Sequence, residues 1–130
     1  MRRVLAVDPG EARIGLAVSD LSKTIARPLE TFRHVSRQQD AEWICQRATE
    51  LDVESIVVGV AYDQEGTTGP QARKSFRLIE VLEKLSHIPI IPWDESESTE
   101  VAAQGSRPGE ILDARAAAVI LQDYLNAQSP

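Results

Sequence analysis

Apolar residues in the first third of the chain fall into short runs that are typical of β-strands. Val4–Asp8 and Ile14–Ser19 flank a tight turn that contains Gly10, and they predict two antiparallel strands. A third strand is expected within Ile25–Phe32. Pro28 indicates an edge position for that strand, because proline cannot donate a hydrogen bond to a β-ladder.

Two further apolar runs predict strands in the second half of the chain. Ser55–Val60 is a run of mainly β-branched residues, as expected of a strand buried on both faces. Ile88–Trp93 predicts the next strand, again at an edge because it contains Pro89 and Pro92. Helical segments separate strands one, four and five, so these three can be parallel.

Helical periodicity of the apolar residues predicts four helices, which run from Ser36 to about Leu51, from Pro70 to about Ser86, over 98–104 and over 110–126. Ser36 and Gln39 form a capping-box pattern at the first helix, and Pro70 suits the first turn of the second. The predicted fold class is α/β: a five-stranded mixed sheet, with strand two antiparallel, flanked by helices. A length of 130 residues predicts a single domain over residues 1–130.

Composition narrows the classes of protein to consider. The first apolar run stops at Asp8, too early for a signal peptide, and no later segment is long enough to cross a membrane. The single cysteine, Cys45, cannot form an internal disulfide and suits a cytoplasmic protein. A net charge of −6 argues against a general polyanion binder, because phosphate contacts need clustered Lys and Arg. It remains compatible with an enzyme that holds metal ions through carboxylates.

Acidic residues follow the three strands that can be parallel. Asp8 ends strand one, Asp63 lies three residues after strand four, and Asp94 and Glu95 follow strand five. The carboxyl ends of parallel strands meet at one edge of a sheet, where α/β proteins place their ligands. These positions alone leave the choice between Asp94 and Glu95 open, and each acid also has a local alternative as a turn or loop residue.

The final helix adds acids to the same edge. Asp113 falls inside the apolar arc of this helix, and Glu110 lies there one turn earlier. An ionised carboxylate that faces a core costs several kcal/mol unless it is paired or bound to a metal. Asp113 is therefore predicted to point past the sheet edge towards the other acids. Glu110 has an alternative as a first-turn charge that the helix dipole favours.

Clustered carboxylates suit hard cations such as Mg²⁺ or Mn²⁺, which prefer oxygen ligands. Two such ions can activate a water molecule and stabilise the leaving oxygen of a phosphodiester. Other catalytic arrangements have less support. His34 and His87 each lack a suitably spaced partner, which favours a surface or packing role, and neither a Walker A loop nor a dinucleotide fingerprint is present.

Five motifs carry a resemblance that spans nearly the whole chain: VDPGEARIGLAVSD, IVVGV, EGTTGPQARKSF, DESEST and ILDARAAAVILQDYL. In these motifs the chain resembles the YqgF or RuvX family of Holliday-junction-resolvase-like proteins, also described as pre-16S ribosomal RNA nucleases. The resemblance implies an RNase H-like fold and a carboxylate–metal nuclease site. It also implies a catalytic, metal-binding triplet of Asp8, Glu95 and Asp113.

The chain departs from the family pattern at three places. Ser96 stands where the family has arginine after the Asp-Glu pair, and Gly59–Ala61 reads Gly-Val-Ala instead of Gly-Leu-Pro. The segment Glu100–Leu112 is shorter than usual and lacks a lysine-rich run, so that Arg107 is its only basic residue. The cationic contacts that the family directs at phosphate are therefore reduced here.

The remaining basic residues predict where nucleic acid binds. Arg73, Lys74 and Arg77 lie early in the second helix, and Arg13 lies in the first turn; all four are candidate phosphate contacts. Ordinary solvation of a helix surface is the alternative role for these side chains.

The leading interpretation is a metal-dependent endonuclease of structured RNA or branched DNA. The resemblance favours processing of the 5′ end of pre-16S ribosomal RNA. Water would attack phosphorus in line, leaving a 5′-phosphate and a 3′-hydroxyl. One alternative is a non-catalytic RNA-binding or ribosome-assembly module with the same fold. The other is an actin-like nucleotide-binding fragment, although 130 residues cannot supply both lobes of that architecture. The oligomeric state stays open.

Overall fold

Five strands and three helices are described in the computed structural model, which covers residues 1–63, 65–95 and 110–128. In chain order these elements are β1 (Arg3–Pro9), β2 (Arg13–Ser19), β3 (Ala26–Arg33), α1 (Arg37–Glu50), β4 (Val53–Val60), α2 (Pro70–Leu85), β5 (Ile90–Asp94) and α3 (Glu110–Gln128).

All five strands form one mixed sheet with the order β3-β2-β1-β4-β5. β1 runs antiparallel to β2 and parallel to β4, and β4 runs parallel to β5. The predicted α/β class, the antiparallel second strand and the parallel set of strands one, four and five are confirmed. The prolines in β3 and β5 do mark the two edges, and the ladder between β2 and β3 is irregular where Pro28 pairs with Ala17.

The two faces of the sheet are covered by different helices. One core packs α1 and α2 against side chains such as Leu5, Val7 and Val58. The other packs α3 against Val4 and Ala6. Successive side chains of a strand point to opposite faces, so the even positions of β1 belong to the α3 face. Asp8 continues that even series at the end of the strand.

The predicted helix boundaries hold to within two residues for the helices that the structure describes. Ser36 is the N-cap of α1, and its Oγ accepts a hydrogen bond from the N–H of Gln39 at 3.1 Å. Pro70 stands in the first turn of α2, as predicted. The helix predicted at 98–104 lies outside the described residues. None of the described helices is long and apolar enough to span a membrane.

Candidate active site

Asp8 lies between two glycines of the neighbouring strands. In the antiparallel ladder Asp8 pairs with Gly15 of β2. On the other side Val7 pairs with Val58 of β4, and Gly59 is the next residue of that strand. The carboxylate at the end of β1 is therefore flanked on both sides by backbone that carries no side chain. Room is left there for groups from elsewhere in the chain.

The first of these groups is the backbone of Asp113. A Cβ atom placed on Gly15 would lie 2.0 Å from the carbonyl oxygen of Asp113. The first turn of α3 thus packs directly on the backbone of β2. Because Gly15 is the ladder partner of Asp8, this contact also brings Asp113 beside Asp8.

The second group is the carboxyl of Glu95. This residue follows β5 directly, and its N–H donates to the carbonyl oxygen of Val60 at 3.1 Å. A Cβ on Gly59 would lie 2.9 Å from Cδ of Glu95 and 2.8 Å from Cδ1 of Ile120. Glu95 is only 5% exposed, so its carboxyl fills the space over Gly59.

Burial and mutual repulsion shape the electrostatics of the three acids. Burial raises the pKa of Asp8 above its ordinary value, a hydrogen bond with the Glu95 side chain opposes that rise, and the negative charge of Asp113 adds to it. Burial also raises the pKa of Asp113, and the nearby positive charge of Arg13 counteracts the rise. Burial thus disfavours charge on Asp8 and on Asp113, and the contacts with Glu95 and Arg13 partly offset that cost.

The chemistry of this donor set fits a divalent cation. Three carboxyl groups supply only oxygen atoms, the ligands that Mg²⁺ and Mn²⁺ prefer, and their partial burial increases the gain from a compensating positive charge. Within residues 1–63, 65–95 and 110–128, no three acidic, histidine or cysteine side chains already stand in a geometry that would hold a metal ion. Binding a cation would therefore require these carboxyl side chains to adjust their positions.

Two of the other candidate acids, Asp94 and Asp63, have exposed side chains. Asp94 ends β5 with its side chain exposed, which distinguishes it from the buried Glu95. Asp63 organises its own loop: its Oδ1 accepts from the N–H groups of Glu65 and Thr67, and hydrogen bonds from Thr67 lower its pKa. Glu110 begins α3, and its side chain lies outside the described part of the chain.

The four predicted phosphate contacts do not form one patch. Arg13 is exposed beside Asp113, where it compensates that carboxylate. Lys74 lines a groove of about 190 Å³ beside the turn between β1 and β2, whereas Arg73 and Arg77 are exposed on α2 and are not part of that lining.

Sequence reasoning missed the basic residues that share the groove with Lys74. Arg37 and His34 also line it, and His34 pairs with the buried Asp40. A signal for this pair was available, because Asp40 falls on the buried face of α1 next to Ala41. The expected surface or packing role of His34 did not include that partner.

Comparison with known proteins gives matches along nearly the whole chain. The family described as RuvX: Holliday junction resolvase matches residues 2–127. A protein of Thermoanaerobacter pseudethanolicus named "Putative pre-16S rRNA nuclease" is 39% identical over 135 residues, which cover 97% of each chain.

Solved structures share the fold at low sequence identity. T. thermophilus RuvC in complex with a Holliday junction substrate has a TM-score of 0.65 at 17% identity, covering 98% of this chain and 96% of that one. The fowlpox virus Holliday junction resolvase has a TM-score of 0.56 at 13% identity, covering 96% and 99% of the two chains. These likenesses confirm the predicted RNase H-like fold.

Replacing Gly15 with alanine tests the backbone contact that positions Asp113. We expect Gly15→Ala to lower the free energy of unfolding by about 1–3 kcal/mol, because a new methyl group would overlap the α3 backbone. Gly69→Ala is the matched control, since a Cβ there meets only the Asp63 side chain at 3.6 Å, an ordinary contact. Urea unfolding of both variants measures the difference. Equal stability of the two variants would contradict the close packing of α3 on β2.

Asp8→Asn tests the repulsion among the acids. We expect this variant to melt at a higher temperature than the wild type in EDTA at pH 7. The increase should be roughly 2–8 °C for each kcal/mol gained in the free energy of unfolding. A raised pKa means that the folded chain keeps its proton to higher pH than the unfolded chain does. The cost in folding free energy of ionising Asp8 is absent below its ordinary pKa of 3.8. This cost grows as pH rises through the pKa of Asp8 in the folded chain.

The matched control for this effect is Asp63→Asn, because hydrogen bonds lower the pKa of Asp63 and its charge therefore favours the folded state. Thermal unfolding of the three proteins between pH 4 and pH 8 should show the gain from Asp8→Asn growing with pH, and no gain from the control. A melting temperature of Asp8→Asn at or below that of the wild type would exclude the proposed repulsion.

Proposed function

The chain belongs to the RuvX family, and from that premise we propose that it is a metal-dependent endonuclease whose substrate is the 5′ end of pre-16S ribosomal RNA. As a member of this family the chain is a nuclease that hydrolyses phosphodiester bonds. The observation that carries the proposal is the proximity of Asp8, Glu95 and Asp113, which come from three distant segments and meet at one partly buried edge of the sheet.

In the proposed mechanism Asp8, Glu95 and Asp113 would hold one or two divalent cations, Mg²⁺ or Mn²⁺. Bound there, a divalent cation supplies Lewis acidity to the phosphoryl oxygens and lowers the pKa of the attacking water. The chain's own contribution is to fix the carboxylates before substrate arrives. Gly15 and Gly59 let the backbone of Asp113 and the carboxyl of Glu95 approach β1.

The surroundings of the three acids support the same chemistry. The apolar side chain of Ile120 stands beside Glu95 and keeps water from that side of the carboxyl. Fewer competing waters strengthen the interactions of a carboxylate with a cation. Arg13, beside Asp113, places a positive charge at the solvent side of the site, where a phosphate oxygen of the substrate would bind. In-line attack by water would leave a 5′-phosphate and a 3′-hydroxyl.

The choice of RNA over branched DNA rests on the more similar relatives. The relative at 39% identity is named for pre-16S rRNA, whereas the structure solved with a Holliday junction is 17% identical and supports the fold alone. Structured RNA is accordingly the proposed substrate, and a four-way DNA junction is the comparison substrate in the tests.

We expect Asp8→Asn, Glu95→Gln and Asp113→Asn each to abolish cleavage while the chain stays folded. The loss should exceed the 10–100-fold that is typical of removing an outer partner of a metal ligand. The measurement uses labelled pre-16S rRNA 5′ fragments and a DNA junction, incubated with Mn²⁺ or with EDTA.

Two exposed acids supply matched controls for these variants. Asp94→Asn changes the residue next to Glu95, and Asp123→Asn changes an exposed position of α3. Both should cleave at the wild-type rate. If Asp8→Asn also cleaves at that rate, the triplet is wrong. If the wild type binds RNA but leaves it intact in Mn²⁺, the chain is a binding module with this fold instead of an active nuclease.

We further expect Arg73, Lys74 and Arg77 to contact backbone phosphate. Replacing all three with alanine should weaken RNA binding about equally for all sequences. It should also flatten the dependence of log K on log salt by about 0.7 for each phosphate of a single strand that the variant no longer neutralises. Titrations at several salt concentrations in EDTA measure the slope. A slope identical to that of the wild type would reject these residues as phosphate contacts.

A further inference from the structure

A groove of about 190 Å³ opens at the same sheet edge as the acids but on the other face of the sheet. Gly10 forms part of its wall, and Leu78, which belongs to the core under α1 and α2, forms another part. Asp8 faces α3 instead, where Asp113 lies. The groove and the three acids thus lie on either side of the end of β1, where Pro9 and Gly10 of the groove lining directly follow Asp8.

The side chains of His34 and the buried Asp40 form a hydrogen-bonded pair in the lining of the groove. Asp40 is 3% exposed, its Oδ2 is hydrogen-bonded to Nδ1 of His34, and its Oδ1 accepts from the N–H of Val35 at 3.1 Å. The backbone N–H of His34 donates to the carbonyl oxygen of Ala12 at 2.9 Å. The imidazole is therefore held at the β1–β2 turn, and Nε2 is the ring nitrogen that remains for another partner.

Two cations converge on the groove from different helices. Arg37 is the first residue of α1, and Lys74 lies one turn into α2. Among the described residues, neither side chain forms an ion pair with a carboxylate. Glu11 also lines the groove, and its Oε1 accepts a long hydrogen bond from Gln71 at 3.4 Å. The carboxylate of Asp40 already accepts hydrogen bonds from His34 and Val35. The groove therefore offers more hydrogen-bond donors than acceptors to a ligand.

We propose that this groove binds a phosphate group of the substrate strand, adjacent to the phosphodiester at the three acids; the proposal rests on the proposed function. A guanidinium can bind phosphate through two parallel hydrogen bonds, and an ammonium adds a compact positive charge. Because Pro9 and Gly10 of the lining directly follow Asp8 in the chain, a phosphate in the groove would lie near the phosphodiester at the acids.

The test compares two double variants with equal charge changes. Arg37→Ala with Lys74→Ala removes the cations of the groove. Arg27→Ala with Lys84→Ala removes two exposed cations at the opposite edge of the sheet, near the start of β3 and the end of α2. Binding of a labelled pre-16S rRNA 5′ fragment is followed by fluorescence anisotropy in EDTA at several salt concentrations.

We expect the groove variant to bind the RNA roughly tenfold or more weakly than the wild type, because it can no longer form the hydrogen bonds to a charged phosphate. Its log–log salt slope should be flatter by about 0.7–0.9, the value for one phosphate contact. The control variant should keep the wild-type slope. Equal affinities and slopes for the two variants would overturn the proposal.

Inorganic phosphate distinguishes a free anion from a phosphate of the strand. Titrated into the wild type, it should shift the amide NMR signals of Gly10, His34, Arg37 and Lys74 and should compete with RNA. It should do neither in the groove variant. Shifts spread over unrelated surfaces, or no shifts at all, would contradict a phosphate site. Shifts at these residues without competition would assign the groove to free phosphate and overturn its role for the strand.

Failure of the groove proposal can be distinguished from failure of the proposed cleavage reaction. If the wild type cleaves RNA and the groove variant binds it normally, the groove proposal alone is wrong. If the wild type does not cleave and the groove variant loses binding, the groove stands and the proposed reaction is wrong.

Discussion

The site depends on the close approach of other chain segments to two glycines of the sheet, Gly15 and Gly59. Gly15 and Gly59 stand on either side of Asp8 in the sheet, and each is overlaid by an atom group that a methyl would displace. At Gly15 this group is the backbone of α3, so the packing of an entire helix depends on one missing Cβ. At Gly59 it is the Glu95 carboxyl. Alternation along β1 then turns Asp8 to the face where these groups meet.

Much of the fold could be predicted because its signals are local. Pro28 and Pro92 identify edge strands through a missing donor, and Ser36 identifies a helix start through its own hydrogen bond. The parallel strands followed from the helices between them. The convergence of acids at one sheet edge was likewise predictable from topology. The catalytic role of Asp8, Glu95 and Asp113 stays a prediction, although the structure brings the three together.

What could not be predicted depends on contacts between distant segments. Asp94 and Glu95 are neighbours at the end of β5, and only the packing over Gly59 distinguishes the buried Glu95 from the exposed Asp94. In the sequence, Gly15 and Gly59 look like ordinary turn or strand glycines, because no neighbouring residue indicates which distant segment packs on them. Arg73 and Lys74 are adjacent in the sequence, which predicts the same phosphate-binding role for both. Successive residues of a helix point about 100° apart, however, so the two side chains serve different surfaces.

The position of the groove and the acids on opposite faces of the sheet has a consequence for substrate shape. A strand bound at both places would have to curve around the end of β1 over a short distance. A continuous DNA duplex resists such curvature, because its persistence length of about 150 base pairs makes it stiff over so short a distance. An unpaired strand, a bulge or a branch point bends there at little cost. The end of β1 would thus favour flexible or branched nucleic acid over a stiff duplex, without contacts to the bases.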